Sequence, residues 1–191
     1  MEKERVILGI DPGTNVLGYS IIEQRGKQSQ LLKMDVLVLG TKDDLSTKMK
    51  KLFDQITEII DIFKPDILAI EAPFFGKNVQ SMLKLGRAQG ICIAAAFSRS
   101  IPFVEYSPRK VKQSITGNGA ASKEQVANML QRMFNFEAIP SYLDATDALA
   151  VAVCHSYQKE DLLVSNSSVK KTSSKKSSWA SFVSQNPDRV K

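Results

Sequence analysis

Two short apolar segments, each followed directly by an acidic residue, constrain this 191-residue chain most strongly. Residues 6–10 lead into Asp11, and residues 67–70 lead into Glu71. Short runs of aliphatic and β-branched residues are typical of buried strands. If the two strands are parallel neighbours, their carboxyl ends meet at one edge of the sheet, where open α/β sheets place their chemistry. The sequence therefore predicts a sheet with two carboxylates at one edge.

The periodicity of the remaining residues predicts the other elements. An antiparallel meander of three strands, joined by short turns, is predicted for residues 6–10, 16–24 and 30–39. A further short strand is predicted for residues 102–104. Apolar residues three or four positions apart predict helices over residues 45–63, 78–98, 108–115, 122–134 and 144–157. We therefore expect an α/β fold in which a mixed five-stranded sheet is flanked by helices on both faces.

A second pair of acids, Asp144 and Asp147, begins the last predicted helix. Three positions apart, they share one face of that helix. Directed at the same sheet edge as Asp11 and Glu71, they complete a cluster of four carboxylates. Two like charges roughly 4 Å apart repel by about 4 kcal/mol at an effective dielectric of 20, so the cluster needs cations or protons. Oxygen ligands without His or Cys suit Mg²⁺ or Mn²⁺, and two such ions can hydrolyse a phosphodiester.

Each acid also has an ordinary structural explanation when it is taken alone. Asp11 precedes Pro-Gly and could belong to a turn, whereas Glu71 could be an exposed strand end. Asp144 could cap the last helix, with Asp147 favourable to the helix dipole. The combination of all four acids favours the functional explanation.

The charge of the chain is concentrated in two regions. The formal net charge is +6, of which +5 belongs to residues 165–191. Residues 77–132 carry nine basic and two acidic residues, inside a part of the chain that is otherwise near neutral. This block predicts one positive face for an anionic partner, and a solvated helix surface is the ordinary alternative. A positive face beside an acid cluster indicates a metal-dependent nuclease.

The composition separates two regions and excludes several classes of protein. We expect a nuclease domain over residues 1–160 and a basic, Ser- and Lys-rich, disordered tail over residues 161–191. Two cysteines, Cys92 and Cys154, are too few for a disulfide scaffold and are expected in the core. The longest apolar run, residues 91–97, is far shorter than the ~20 residues of a membrane span. With no secretory segment at the start, we expect a cytoplasmic protein.

Several motifs are more specific than composition. They are ILGIDPGT at residues 7–14 with Gly18 and Tyr19, AIE at 69–71, KN at 77–78 with Ser81 and LKLG at 83–86, VKQ at 111–113, and DATDALA at 144–150 with His155. In this order, over about residues 5–157, they resemble the RuvC family of bacterial Holliday junction resolvases. The resemblance implies a ribonuclease H-like fold and a homodimer that nicks two opposing strands of a four-way junction symmetrically. It also implies a role in DNA recombination and repair, with a branch-migration motor of the RuvA and RuvB type.

The resemblance also carries catalytic residues onto this chain. The family's four catalytic acids, which bind two Mg²⁺ ions, match Asp11, Glu71, Asp144 and Asp147. Asp11 is expected to bridge both ions, because a strand-end residue at the centre of a sheet is held rigidly. Glu71 and Asp147 would complete the two coordination spheres, and Asp144 would position an ion or the attacking water. Mn²⁺ is expected to substitute for Mg²⁺.

The expected DNA contacts lie between residues 74 and 123. The family's aromatic residue that stacks on DNA near the junction matches Phe74. Its basic DNA contacts match Lys112 and Lys123, and the charge pattern adds Lys77 and Arg109 as candidates. Each of these residues could instead be an ordinary packing or solvated side chain.

Other positions, whether or not they match the family's motifs, say less about function. The helix predicted over residues 78–98 matches the helix that builds the family's dimer interface. The one histidine, His155, is expected at a helix surface rather than in catalysis. Ala72 and Pro73 follow Glu71 where many relatives have a glutamine first, which leaves the base preference open. The Ser- and Lys-rich tail has no counterpart in the family motifs, although its Trp179 and Phe182 could contact DNA or a partner.

Three other functions are alternatives at this stage. An ATPase or sugar kinase of the actin-like superfamily has a phosphate loop that resembles residues 11–14, but it needs a second lobe that this length is not expected to supply. A non-catalytic nucleic-acid-binding or RNA-processing relative shares the fold but need not retain all four acids. A nuclease for RNA or RNA–DNA hybrids shares the metal chemistry, so only substrate tests separate it from a junction resolvase.

Overall fold

A five-stranded sheet forms the centre of this computed structural model, whose described residues are 4–40, 42–73 and 78–158. Its strands are β1 (Glu4–Asp11), β2 (Val16–Arg25), β3 (Gln28–Val38), β4 (Ile67–Glu71) and β5 (Phe103–Tyr106). Its helices are α1 (Leu45–Phe63), α2 (Val79–Ser98), α3 (Pro108–Thr116), α4 (Lys123–Phe134) and α5 (Leu143–Ser156). The predicted α/β class is confirmed. The largest differences in bounds are two residues, because β1 and β3 begin two residues earlier and β5 ends two residues later than expected.

The order of the strands places the two acid-bearing strands side by side. That order is β3-β2-β1-β4-β5, with β1 at the centre. β1, β2 and β3 pair antiparallel, as the short turns predict, whereas β4 is parallel to both β1 and β5. Because Ile10 pairs with Ile70, the residues that follow them, Asp11 and Glu71, lie at the same edge of the sheet.

Helices cover both faces of the sheet, because successive strand residues point to opposite faces. Leu8 and Ile10 pack with residues of α1 and α2 in one core, which includes Cys92. Ile7 packs with residues of α3, α4 and α5 in the other core, which includes Cys154. Both cysteines are buried, as predicted.

The described residues up to Tyr157 belong to one compact unit, which spans Met1–Tyr157. No helix within the described ranges is long and apolar enough to cross a membrane. The expected tail, residues 161–191, lies outside the described residues together with its two aromatic side chains. The domain boundary at residue 160 therefore stays a prediction.

His155 is buried, so the expectation of a helix-surface residue was wrong. The residue has no exposed surface, because α5 packs against the sheet and against α3 and α4. Its Nδ1 lies 2.7 Å from the hydroxyl oxygen of Tyr106, which joins α5 to the end of β5. Burial, together with the charges of Arg5 and Lys110, lowers the pKa of His155 to about 4. The ring is therefore neutral at physiological pH and serves the packing of α5.

α5 lies close to β1 and β2 because glycines face it. A Cβ atom added at Gly18 would lie 1.8 Å from the carbonyl oxygen of Asp144. One added at Gly9 would lie 2.3 Å from the carbonyl oxygen of Ala148. No side chain fits at these distances, so glycine is required for the backbone of α5 to reach this position.

Replacing Gly18 by Ala should destabilise the protein by about 1–3 kcal/mol, the usual range for overpacking. The new methyl group must push the start of α5 away from β2, since it meets backbone rather than a flexible side chain. Urea unfolding measures the loss. Ser20→Ala, two residues along the same strand, is the matched control. It removes a buried hydroxyl that has no hydrogen-bond partner in the described structure, so no loss is expected there. Equal stability of wild type and Gly18→Ala would contradict the close approach.

Candidate active site

One cavity of about 610 Å³ is lined by all four acids that the sequence analysis singled out. Asp11 ends β1, and Glu71 ends β4, the parallel neighbour of β1. Asp144 and Asp147 lie in the first two turns of α5 and line the same cavity. The fold thus brings together carboxylates from three separate segments of the chain.

The start of α5 leaves Asp144 without a capping role. The cap residue of α5 is Tyr142, and no side chain makes a capping hydrogen bond there. The structural explanation of Asp144 as a helix cap is therefore wrong. Asp147 lies one turn further along, and its side chain is 14% exposed. Both acids are held by the backbone of a buried helix rather than by local hydrogen bonds at its end.

The turn that follows Asp11 is tight and anchored. A Cβ atom added at Gly13 would lie 1.6 Å from a backbone carbonyl oxygen, so only glycine fits. The backbone carbonyl of Asn15 accepts a 2.7 Å hydrogen bond from the N–H of Leu39. The Asn15 side-chain oxygen accepts a 2.8 Å hydrogen bond from the ammonium group of Lys48 on α1. These contacts fix the backbone that carries Asp11 into the cavity.

Burial and mutual repulsion make the acids hard to ionise. Burial first, and then the charges of Glu71, Asp147 and Asp144, raise the pKa of Asp11 well above its ordinary value. Burial and the charge of Asp147 raise the pKa of Glu71 to about 7. Burial also raises the pKa of Asp147, although a hydrogen bond from Lys123 opposes the rise. Raised carboxyl pKa values in a cleft are typical of a functional site.

Lys123 is the cation that balances part of this negative charge. Its ammonium group donates a hydrogen bond to the carboxylate of Asp147. Lys123 is the first residue of α4, and the reciprocal hydrogen bonds of Ser122 and Gln125 hold that helix start in place. The sequence indicated a phosphate contact at Lys123 but not this ion pair, which depends on how α4 packs against α5.

Two further basic candidates, Arg109 and Lys112, line the same cavity from α3. Lys112 is half-buried, whereas Arg109 is exposed. The turn after α3 leaves room for Arg109, because a Cβ atom at Gly119 would lie 2.6 Å from its Cγ atom. Phe74 and Lys77 lie outside the described residues, so their DNA contacts stay predictions.

The chemistry of the cavity fits hard divalent cations. Its charged oxygen donors are four carboxylates, and no His or Cys is found among the described residues that line it. Within residues 4–40, 42–73 and 78–158, no three acidic, His or Cys side chains stand close enough together to hold an ion as they are placed. The ammonium group of Lys123 forms an ion pair with the carboxylate of Asp147. The four carboxylates fit such ions in the kind of ligand atom that they offer.

Two side chains that hold the site were missed by sequence reasoning, Gln89 and Lys48. The side-chain amide of Gln89 on α2 donates a 3.4 Å hydrogen bond to the backbone carbonyl of Glu71. The one signal for it was a polar residue at an inward position of a helix, where apolar residues are usual. Lys48 had no local signal, because only the tertiary structure brings it to Asn15.

The comparison with known families matches one family over most of the chain. The sequence model of the crossover junction endodeoxyribonuclease RuvC matches residues 7–155. The chain belongs to the RuvC family. The predicted family and the predicted enzyme class, an endodeoxyribonuclease that hydrolyses phosphodiester bonds, are thereby confirmed. Nucleases of this family are metal-dependent.

Relatives match along nearly the whole chain. The RuvC of Cytophaga hutchinsonii is 54% identical over 188 residues, which cover 98% of this chain and 89% of that protein. The RuvC of Porphyromonas gingivalis is 51% identical over 191 residues, with 99% of this chain and 98% of that protein covered. Both relatives are named as crossover junction endodeoxyribonucleases. The function predicted from the motifs, cleavage of junction DNA in recombination, is confirmed at the level of the family.

Solved structures share the fold. The RuvC of T. thermophilus, solved in complex with a Holliday junction substrate, superposes with a TM-score of 0.75 at 30% identity. The match covers 80% of this chain and 93% of that one. The yeast mitochondrial Holliday junction resolvase Ydc2 superposes with a TM-score of 0.59 at 17% identity, which shows a shared fold alone. The predicted ribonuclease H-like architecture is confirmed.

Replacing Glu71 by Gln should stabilise the metal-free protein, and increasingly so as the pH rises. Because the pKa of Glu71 is raised from 4.5 to about 7 in the folded protein, the native state binds this proton more tightly than the unfolded state. The wild type therefore loses stability as the pH rises through that window. The variant has no carboxyl group at this position, so it avoids this loss in the free energy of unfolding, which is at most about 3 kcal/mol. Urea unfolding in EDTA, between about pH 4.5 and pH 8, measures the difference.

Glu124→Gln is a control of opposite sign. A hydrogen bond with Ser122 lowers the pKa of the exposed Glu124, so this carboxylate stabilises the folded state above its unfolded pKa. Because this titration lies below the measured range, the variant should be less stable than the wild type by an amount that stays nearly constant between about pH 4.5 and pH 8. A difference between Glu71→Gln and wild type that stays constant with pH would contradict the raised pKa of Glu71.

Proposed function

We propose that this chain resolves four-way DNA junctions by hydrolysing one phosphodiester bond in each of two opposing strands, which leaves symmetric, ligatable nicks. The observation that carries the proposal is the single cavity in which four acids from β1, β4 and α5 face basic side chains from α3 and α4. A phosphodiester needs both chemistries, since cations must neutralise the acids and basic groups must hold the phosphates. The structure of T. thermophilus RuvC with a Holliday junction substrate supports this choice of substrate.

The proposed cofactor is a pair of Mg²⁺ ions per subunit, with Mn²⁺ as a substitute, held by Asp11, Glu71, Asp144 and Asp147. Such ions lower the pKa of a bound water and stabilise the leaving oxyanion. Four partly buried carboxylates that line one open cavity support this assignment, because divalent cations would relieve their repulsion. Asp11, at the end of the central strand, is the proposed bridging ligand, and Asp144 at the helix start would position an ion or the attacking water.

Lys123 has two proposed roles that depend on what the acids hold. Its ammonium group donates a hydrogen bond to the carboxylate of Asp147 and balances that charge. Once the acids are neutralised by cations, the same group is available for a DNA phosphate at the cavity. Arg109 and Lys112 are the proposed neighbouring phosphate contacts, and Phe74 and Lys77 remain predicted contacts of the segment before α2. Contacts of this kind position the DNA without reading its sequence.

The proposed active form is a homodimer built on α2. The outward side of this helix is apolar and exposed at Val79, Leu83, Gly90, Ala94 and Phe97. Nothing lies within 4 Å of a Cβ atom added at either Gly86 or Gly90, so a second helix could approach there. Exposed apolar stripes of this kind mark association surfaces, and a two-fold dimer places two cavities for paired nicks.

We also propose a protein partner and a cellular location that suit a junction substrate. The family resemblance supports cooperation with a branch-migration motor of the RuvA and RuvB type, which processes the same junction. Action in the cytoplasm is proposed because the bacterial relatives would find chromosomal DNA there.

A synthetic four-way junction with a mobile core tests the proposal directly. In Mg²⁺ the wild type should give paired, symmetric nicks, and none in EDTA. Asp144→Asn should slow cleavage by at least about 100-fold, because it removes a proposed metal ligand. The variant should still bind the junction, with an affinity that falls steeply with salt. Gel analysis of both labelled strand pairs measures nicking, and a mobility-shift assay measures binding.

Asp54→Asn is the matched control for that test, because Asp54 is a surface acid of α1 that pairs with Lys50 at 2.6 Å. Its cleavage rate should equal that of the wild type. Binding of the junction without cleavage, across several core sequences in Mg²⁺ and Mn²⁺, would overturn the catalytic proposal in favour of a binding protein. Equal cutting of an RNA–DNA hybrid would move the assignment to a ribonuclease.

Leu83→Glu should convert the proposed dimer to a monomer, because it places a charge in the apolar stripe of α2. Leu83 is 51% exposed in the isolated subunit, so the folding of the subunit should be unaffected. Met129→Glu, on the exposed side of α4, is the control and should leave the dimer intact. Sedimentation equilibrium measures the mass of each protein. A monomeric wild type, or an unchanged Leu83→Glu dimer, would contradict the interface.

A further inference from the structure

A buried amide connects α2 to the strand that carries Glu71. Gln89 lies on α2 and is only 7% exposed. Its side-chain nitrogen donates a 2.7 Å hydrogen bond to the carboxylate of Glu105 on β5. The same nitrogen donates a longer, 3.4 Å hydrogen bond to the backbone carbonyl of Glu71 at the end of β4. One side chain of α2 thus contacts both parallel strands at the edge of the sheet that carries the cavity.

Burying the side-chain amide of Gln89 costs free energy of folding unless its hydrogen bonds compensate. Its neighbours on the inward side of α2, Ala88 and Cys92, are fully buried in the core. An apolar residue would pack there without the cost of burying an amide. The short bond to Glu105 is charge-assisted and compensates that cost. It also fixes the direction of the amide, so that one N–H group points at Glu71.

The backbone beyond Glu71 is held on two sides. On one side, the N–H of Ala72 donates a 2.9 Å hydrogen bond to the carbonyl of Tyr106, which extends the pairing of β4 with β5. On the other side, the Gln89 amide contacts the carbonyl of Glu71, which belongs to the same peptide unit. A peptide held at both its N–H and its C=O cannot rotate, and its orientation sets the direction in which the Glu71 side chain leaves the strand.

We propose that Gln89 is a positioning residue, which holds the last peptide of β4 so that the Glu71 carboxylate is presented to the metal ions. The inference rests on the proposed function, because it takes Glu71 to be a metal ligand. Gln89 touches neither substrate nor metal, since it acts through the backbone of Glu71. Its effect is therefore on metal affinity first and on cleavage only as a consequence.

Gln89→Met tests the inference, because Met fills a similar volume without an N–H donor. The probe is Mn²⁺ alone, with free ions counted by electron paramagnetic resonance in the full chain. We expect Mn²⁺ affinity to fall by about three- to tenfold, the effect of one lost hydrogen bond behind a ligand. Junction cleavage should fall in proportion at low Mn²⁺ and recover at saturating Mn²⁺, with junction affinity in EDTA unchanged.

Gln24→Met is the matched control. Gln24 is also a buried glutamine, and its amide donates hydrogen bonds of 3.0 and 2.9 Å to the carbonyls of Gly26 and Ser156. It lies at the opposite end of the sheet from the cavity, beside Glu4 and Arg25 at the start of the β1–β2 pairing. Its replacement should lower the unfolding temperature but leave Mn²⁺ affinity unchanged. If Gln89→Met behaves in the same way, Gln89 has only a structural role.

Glu105 supplies a second test that does not alter the core. Glu105 is exposed, so its variants should fold. Glu105→Gln keeps an acceptor for the Gln89 amide and should retain wild-type Mn²⁺ affinity. Glu105→Leu removes that acceptor and should weaken Mn²⁺ binding by about two- to threefold, because the amide loses its fixed direction. Identical affinities for these two variants would overturn the positioning role.

A double variant separates failure of this inference from failure of the proposed function. Glu71→Gln alone must weaken Mn²⁺ binding if Glu71 is a ligand, and an unchanged affinity would overturn the proposed metal site itself. If Gln89 acts through Glu71, adding Gln89→Met to Glu71→Gln should cause no further loss. Additive losses would show that Gln89 affects the metal by another route and would overturn the inference alone.

Discussion

The parallel pairing of β1 with β4 is the constraint on which the rest of the structure depends. Both strands are apolar and buried, and each is followed at the same sheet edge by a carboxylate, Asp11 or Glu71. The approach of α5 to β1 and β2, which glycines alone permit, then adds Asp144 and Asp147. Strand pairing brings two acids together, and helix packing brings the other two. Neither is sufficient alone to build a cavity with four oxygen donors.

The carboxylates that line the same cavity repel one another. Burial and like charges raise the pKa values of Asp11, Glu71 and Asp147, so these acids oppose folding when they ionise. Lys123 relieves part of this repulsion through its ion pair with Asp147. Clusters that cost stability are expected where chemistry rather than packing determines the residues. The same repulsion favours the binding of divalent cations, which would neutralise the acids.

Two adjacent residues of α2, one buried and one exposed, serve the two proposals made for this helix. Gln89 points inward and contacts the end of β4, whereas Gly90 lies on the exposed apolar stripe. A helix that joins two subunits would therefore also hold one acid of each cavity. His155 shows the complementary case of a buried polar side chain, because neither it nor its partner Tyr106 lines the cavity. Burial of a polar residue does not by itself indicate catalysis, and its partners decide the matter.

Local patterns determined the elements and the candidate acids, because strand alternation, helix periodicity and a charged residue after a buried strand are readable from adjacent positions. Five strands and five helices were predictable on this basis, as was the meeting of Asp11 and Glu71. The ion pair of Lys123, the burial of His155 and the contact of Gln89 were not predictable. Each joins elements that are distant in sequence, and which side chains meet there depends on how the helices pack against the sheet. That packing is decided by burial and shape over the whole domain, which no short segment of the sequence encodes.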